Sequence, residues 1–411
     1  MKTHAREKST ACILFEKSSY ADIMKDVKKL RLHIDDTIAH FPESLPDGIA
    51  STGYTMKDSR KSKKLQIVIR RITVAGKDYS IRPSFVMPYM TGFTDDVEKA
   101  LYLRKFDVPF YALSYVFGRS TMYWYRLENH LGRNSLVGTT VHHNTPLPVH
   151  LVADEKHSRL AGEKCYVATT VANNCILGVA MAGNAGEAAL TKAYGVFAEE
   201  AQRLEPSYKP ETVNIDGWPA TQKAWQTIFS NILIIGCFLH IFIKIRDRAK
   251  IKFRDIFLEV ATKLWNCYRA TNKKSFSQRV RRLAEWCGTS QDVPAVISEP
   301  IKKLRKNNRL YAAAYDHPGC YRTSNMLDRL MQRMDRHLFS TQYFHGSLGT
   351  GELNIRGWAL ICNFAPSNPM TTKKYHGAKS PVDRLNGFSY HENWLQNLLI
   401  SASLREFRQP P

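Results

Sequence analysis

Asp154 closes an apolar run in Val149–His157 (VHLVADEKH), and the chain turns polar directly after it. Mostly apolar residues in succession, His150 aside, read as a strand covered on both faces. An unpaired carboxylate inside such a strand would cost several kcal/mol, so Asp154 is expected where the strand surfaces, or holding a cation. Glu211–Pro219 (ETVNIDGWP) repeats the pattern: Asp216 ends an apolar run and Gly217-Trp218-Pro219 breaks it. Two carboxylates at adjacent strand ends could share divalent metal. A third acid, Asp328, lies in TSNMLDRLMQRMDRHLF. There Thr323 or Ser324 caps a helix whose apolar stripe is Leu327, Leu330, Met331, Met334 and Leu338, with Asp328 at its margin. A surface Asp favoured by the positive end of the helix accounts for Asp328 as well as a third metal ligand does.

The elements that would position these acids follow from the pattern. Strands are expected at 149–154, 164–172, 175–182, 212–216 and 231–237, with helices at 187–204 and 219–229. That order predicts a mixed α/β sheet in which the first and the later strands lie side by side. Residues 238 to about 320 lose strand character and become helical and basic, with Lys273, Lys274, Arg281, Lys302, Lys303 and Arg305 among the cations. Trp265, Tyr268, Phe276 and Trp286 there are core residues by default, and stacking on an exposed base is the alternative.

Upstream, Tyr20–Phe41 reads as one amphipathic helix, and the Ala75-Gly76-Lys77 turn as a hairpin. The cluster Lys57, Arg60, Lys61, Lys63 and Lys64 is either a solvated surface or a phosphate contact. Thr94 is expected to cap a helix carrying Asp95 and Asp96 in its first turn. Pro109 opens a second helix through Phe117, Gly118 turns the chain, Ser120 caps a third helix and Gly132 ends it. Short helices split by a glycine turn form a helix-turn-helix pattern with Ser120–His130 as the recognition helix. Arg119, Ser120, Thr121, Tyr123 and Arg126 are its candidate DNA contacts, although aromatic residues there also suit a core.

The bulk composition favours a polyanionic partner. Across 411 residues, 59 Lys+Arg stand against 37 Asp+Glu, a net charge of +22 that exceeds what solubility needs. The eight cysteines form no Cys-x-x-Cys, which argues against a disulfide framework or zinc ribbon and suits a reducing cytoplasm. No signal-peptide core opens the chain, and the run Ile232–Ile243 is too short for a bilayer span and contains His240.

The set ADEK, NIDGW, CFLH and TSNMLDRLM resembles the DDE transposases of bacterial insertion sequences, in the broad group that includes Mutator-like elements. The resemblance covers roughly residues 95–400, including the tail SPVDRLNGFSYHENWLQNLLI. It implies an RNase H-like catalytic domain, with the first Asp on the first strand and the second ending the fourth. An all-helical insertion follows the fifth strand, and a third acid stands on the helix after it. Asp216 lies 62 positions after Asp154, and Asp328 lies 112 after Asp216, room for that insertion. The implied organisation is an N-terminal helix and basic hairpin (1–90), a helix-turn-helix domain (91–145), the first part of the core (146–243), the insertion (244–320), and the second part with the tail (321–411). The family's Cys-x-x-His beyond the fifth strand is matched by Cys237 and His240, as structural or assisting residues near the active site. Two such ligands do not close a zinc site, and a Cys and a His at the edge of an apolar run also suit a core.

The resemblance further implies double-stranded DNA as partner, at terminal inverted repeats and at the target, with a homodimer or larger assembly in the synaptic complex. It places the protein in the bacterial cytoplasm, at the nucleoid. Two Mg²⁺ or Mn²⁺ ions would serve phosphodiester cleavage and strand transfer, Asp154 bridging both, Asp216 holding one and Asp328 the other. Lys156 is either a DNA phosphate contact or a solvated lysine. The family's third acid is usually Glu, so Asp328 requires its helix to sit closer to the metals, and Glu352 and Asp335 are the fallback candidates. A metal-dependent nuclease without joining activity, or a catalytically inactive regulator derived from a transposase, are the alternatives.

Overall fold

Two sheets organise the computed structural model, which describes residues 9–249 and 251–407. The first has β1 (Thr10–Ile13), β2 (Thr55–Lys61), β3 (Val68–Val74) and β4 (Lys77–Pro83) in the order β1-β4-β3-β2. Ala75 and Gly76, with φ of 49° and 77°, make the two-residue turn that twisted antiparallel strands favour, as the hairpin reading expected. The single helix expected over Tyr20–Phe41 is instead two, Tyr20–Lys25 and Val27–His40. Asp26 between them is extended, and its carboxylate accepts from the Lys28 and Lys29 amides, restarting the helix.

Helices Thr94–Arg104, Phe110–Phe117 and Thr121–Leu131 follow. Ser120 caps the last of them by accepting from the Tyr123 amide. Two other end signals are corrected. Phe93 occupies the cap position of the first helix, and the Thr94 hydroxyl bonds the Phe85 carbonyl instead. Pro109 is the cap residue of the second helix rather than its first helical residue. Gly132 ends the third helix as expected, its amide donating to the Glu128 carbonyl, with a φ of −63° that does not itself require glycine. A side chain there is excluded by packing: a Cβ would lie 1.9 Å from the Leu353 carbonyl oxygen. The partner helix, Leu348–Phe364, is buried along nearly its whole length.

The second sheet has β5 (His150–Leu160), β6 (Glu163–Ala172), β7 (Cys175–Ala182), β8 (Thr212–Ile215) and β9 (Leu233–Gly236) in the order β7-β6-β5-β8-β9. β5, β6 and β7 are antiparallel, while β8 and β9 run parallel to β5. The strand expected to end at Asp154 continues to Leu160, because β6 pairs with it from Val152 to Leu160. The expected surfacing occurs along the other edge only: β8 pairs with β5 at His150, Leu151 and Val152, and stops short of Asp154. β8 and β9 are each shorter than expected, and the helix Pro219–Ile228 ends one residue earlier.

Alternation along the strands builds two cores. Val152, Val167, Val171 and Val179 face helices Asn325–Ser340 and Leu348–Phe364. Leu151, Ala153, Leu177 and Val213 face helices Glu187–Leu204 and Pro219–Ile228 on the other side. Asp154, two residues beyond Val152, therefore shares a face with the helix that carries Asp328.

Between β9 and that helix stand Phe238–Ala249, Arg254–Tyr268, Lys273–Thr289, Ala295–Lys306 and Asn308–Ala312, with their own hydrophobic cluster. Phe276 is buried in it and Trp265, Tyr268 and Trp286 pack against it, so these aromatics are core. Lys273, Lys274, Lys302, Lys303 and Arg305 remain exposed. All eight cysteines are free thiols. Among the described residues, no helix is long and apolar enough to cross a membrane.

Candidate metal centre

Asp154 and Asp216 are brought together by register. Val152 pairs with Asn214 in the parallel ladder, and each Asp lies two residues beyond its member of that pair. Both are partly buried. Asp216 Oδ1 accepts from the Trp218 amide at 2.8 Å, which fixes the turn from β8 into helix Pro219–Ile228. Asp154 Oδ1 accepts from the Glu155 amide at 2.8 Å.

Asp328 arrives on the first turn of helix Asn325–Ser340, whose buried residues include the whole predicted stripe of Leu327, Leu330, Met331, Met334 and Leu338. Ser324 holds the position before this helix, but its hydroxyl does not cap it; it donates to Asp328 Oδ2 at 3.0 Å. Cys237 in turn donates its thiol to Ser324 Oγ at 3.2 Å and accepts from the Ser324 amide at 3.3 Å.

His240 completes the cluster. It sits one turn past Cys237, at the start of helix Phe238–Ala249, where β9 leaves the sheet. One ligand atom each from Asp154, His240 and Asp328 lie within 4.8 Å of one another. The His240 Nδ1 atom is buried and has no hydrogen-bond partner. Oxygen donors from two carboxylates and an imidazole nitrogen form a set that a divalent cation can bind.

Electrostatics agree with that capacity. Burial, then the neighbouring charges of Asp216 and Glu155, push the Asp154 carboxyl up to about 7. Burial alone would lower the His240 imidazole, but the Cys237 sulfur and the carboxylates of Asp154 and Asp216 outweigh it and raise it to about 9. An imidazolium therefore balances the carboxylates in the metal-free state, and a cation entering the cluster would displace its proton.

An open cleft of about 670 Å³ reaches Asp154 and Asp328, with Phe242, Arg246 and Arg329 also in its walls. Lys156, on the same strand face as Asp154, is held by Asp335 at 2.6 Å. Asp335 is thus an ion-pair partner at the rim. Glu352 accepts from the Met181 amide on β7, the strand at the sheet's far edge, and is not a member of the cluster.

Glu155 received no role from the sequence, yet it is buried on the opposite sheet face, accepting from Tyr194 Oη at 2.8 Å and Thr221 Oγ1 at 2.6 Å. These bonds partly offset burial, which raises its pKa. The only available signal was strand period: residue 155 must face away from its neighbour 154.

At the helix-turn, Arg119, Ser120, Thr121 and Arg126 are exposed, whereas Tyr123 is partly buried with its hydroxyl donating to the Thr91 carbonyl. Trp124, Leu127, Glu128 and Leu131 form the buried side of that helix. Glu128 pairs with Arg104 at 2.7 Å with both side chains inaccessible, and Arg104 also donates to His337 Nδ1 at 3.1 Å. Asn354 bridges the same group, donating to Glu128 and facing His337 Nε2. The helix bearing Asp328 is thereby tied to the helices of the turn. The chain matches no protein-family model, and no curated protein matches it.

Proposed function

We propose that this protein is a DDE-type DNA transposase that binds element ends and uses divalent metal to cut DNA strands and join them to a target. The observation that carries the reading is the convergence of acids from three separate elements. Asp154 lies on the first strand of the second sheet, Asp216 directly follows the fourth, and Asp328 stands on the helix that comes after the five α-helices and one 3-10 helix described beyond the fifth strand. The same arrangement supports an RNase H-like catalytic domain.

Metal bound here would activate the attacking oxygen and stabilise the leaving one. Asp154 and Asp328 would supply carboxylate ligands, and Asp216, held by the Trp218 amide, would offer its second oxygen. The shorter Asp in place of Glu is supported by the close packing of its helix against β5, which brings Asp328 to Asp154. Exposed Arg119, Ser120, Thr121 and Arg126 present a helix-turn-helix surface to double-stranded DNA, and paired element ends would require at least two subunits.

Asp154→Ala, Asp216→Ala and Asp328→Ala tested on DNA carrying the sequences that flank the coding region should lose strand cleavage while retaining end binding. Cleavage by both Asp154→Ala and Asp216→Ala variants sinks the proposal. Transfer of a pre-cut end into target DNA separates a transposase from a nuclease.

A further inference from the structure

We propose that His240 is a direct metal ligand, so that the centre takes Mn²⁺ in preference to Mg²⁺. The proposal deepens the reading above and rests on it for the purpose of the metal, though not for the ligand geometry. The tight cluster is Asp154, His240 and Asp328, rather than the three aspartates alone. Asp216 stands beside it with one oxygen committed to the Trp218 amide at 2.8 Å.

The local fold explains why a histidine arrives there. β9 runs parallel to β8 and ends at Gly236, and Cys237 begins the passage into helix Phe238–Ala249, whose first turn carries His240. Cys237 is buried and bonded to Ser324, and Ser324 bonds Asp328. The thiol is therefore a positioning group for the acid on the neighbouring helix. The histidine one turn later contributes the ring to the cluster, and its buried Nδ1 makes no hydrogen bond. Within Cys-x-x-His the sulfur thus aligns Asp328 through Ser324 and also lies against the imidazole, which completes the ligand set.

Ligand chemistry then discriminates between ions. Mg²⁺ takes oxygen ligands almost exclusively and keeps its waters, whereas a mixed imidazole and carboxylate set accommodates Mn²⁺ and later first-row ions. Mn²⁺ should bind wild-type protein at least about tenfold more tightly than Mg²⁺, and His240→Gln should lose about tenfold in Mn²⁺ affinity with little change for Mg²⁺.

The test uses the full chain with Mn²⁺ as a paramagnetic probe, read by pulsed electron paramagnetic resonance and by calorimetry. The expected result is nitrogen-14 modulation from a coordinated imidazole in wild type, absent in His240→Gln. The wild-type spectrum alone tests ligation, so poor folding of the variant cannot hide the answer. Bound Mn²⁺ without nitrogen modulation overturns the inference and leaves an all-carboxylate centre able to serve a transposase. Modulation that persists in a folded His240→Gln variant, or equal affinity for the two ions, overturns it as well. Modulation lost in His240→Gln, in a protein that cuts no DNA with either ion, upholds the ligand and removes the transposase reading.

Discussion

Replacing Asp154 by Asn keeps the side-chain shape and removes a charge that the fold accommodates poorly. The native carboxyl ionises at about 7, against an ordinary 3.8, chiefly because it is buried and then because Asp216 and Glu155 repel the anion. A native pKa above the unfolded one means that the folded state holds the proton longer. Stability of the metal-free protein should therefore fall as pH rises from about 4 to about 7, and stay low above that. At about 1.36 kcal/mol per pKa unit the whole displacement is worth about 4 kcal/mol. Partial exposure and coupling to Asp216 reduce this to about 2 kcal/mol, or roughly 3 °C in melting temperature. Melting in EDTA should show Asp154→Asn above wild type by that margin at pH 8, with the gap closing towards pH 4. Saturating Mn²⁺, at about a hundred times its dissociation constant, should raise wild type by about 2.7 kcal/mol and leave the variant unmoved. An Asn variant that melts below wild type at pH 8 in EDTA, or gains equally from metal, would refute the description of Asp154 as a strained ligand awaiting a cation.

Three further outcomes follow from the geometry. Asp328→Ala should abolish metal-dependent stabilisation, while Asp335→Ala keeps it and costs under about 1 kcal/mol, since its pair with Lys156 is at the surface; calorimetric metal titration of both distinguishes them. Glu128→Ala should cost about 3–5 kcal/mol in chemical denaturation, because it leaves Arg104 charged and inaccessible without its carboxylate. Gly132→Ala should destabilise by about 3 kcal/mol or more, since its Cβ would meet the Leu353 carbonyl at 1.9 Å and two helices would have to part; an unchanged melting temperature would contradict that crossing.

Local chemistry already determined much of this molecule. The apolar runs specify the strands of the second sheet, and the stripe from Leu327 to Leu338 specifies which side of its helix is buried and leaves Asp328 at the edge. Asp216 at a strand end and Ser120 as a cap are equally local, because one residue and its nearest amides decide them. Other features depended on partners distant in the chain. Whether β5 ends at Asp154 is settled by β6, which carries the strand on, and by β8, which leaves its other edge open at that point. Gly132 stops the helix as its sequence suggests, but the need for glycine there comes from a helix crossing, because the clashing atom belongs to Leu353. The sequence already preferred Asp328 to Glu352, but that Asp328 stands beside Asp154 while Glu352 bonds the edge strand, and that His240 enters among the acids, is decided by the sheet order and the Cys237–Ser324 link. Periodicity reports which face a residue occupies; only the packed structure reports what stands opposite it.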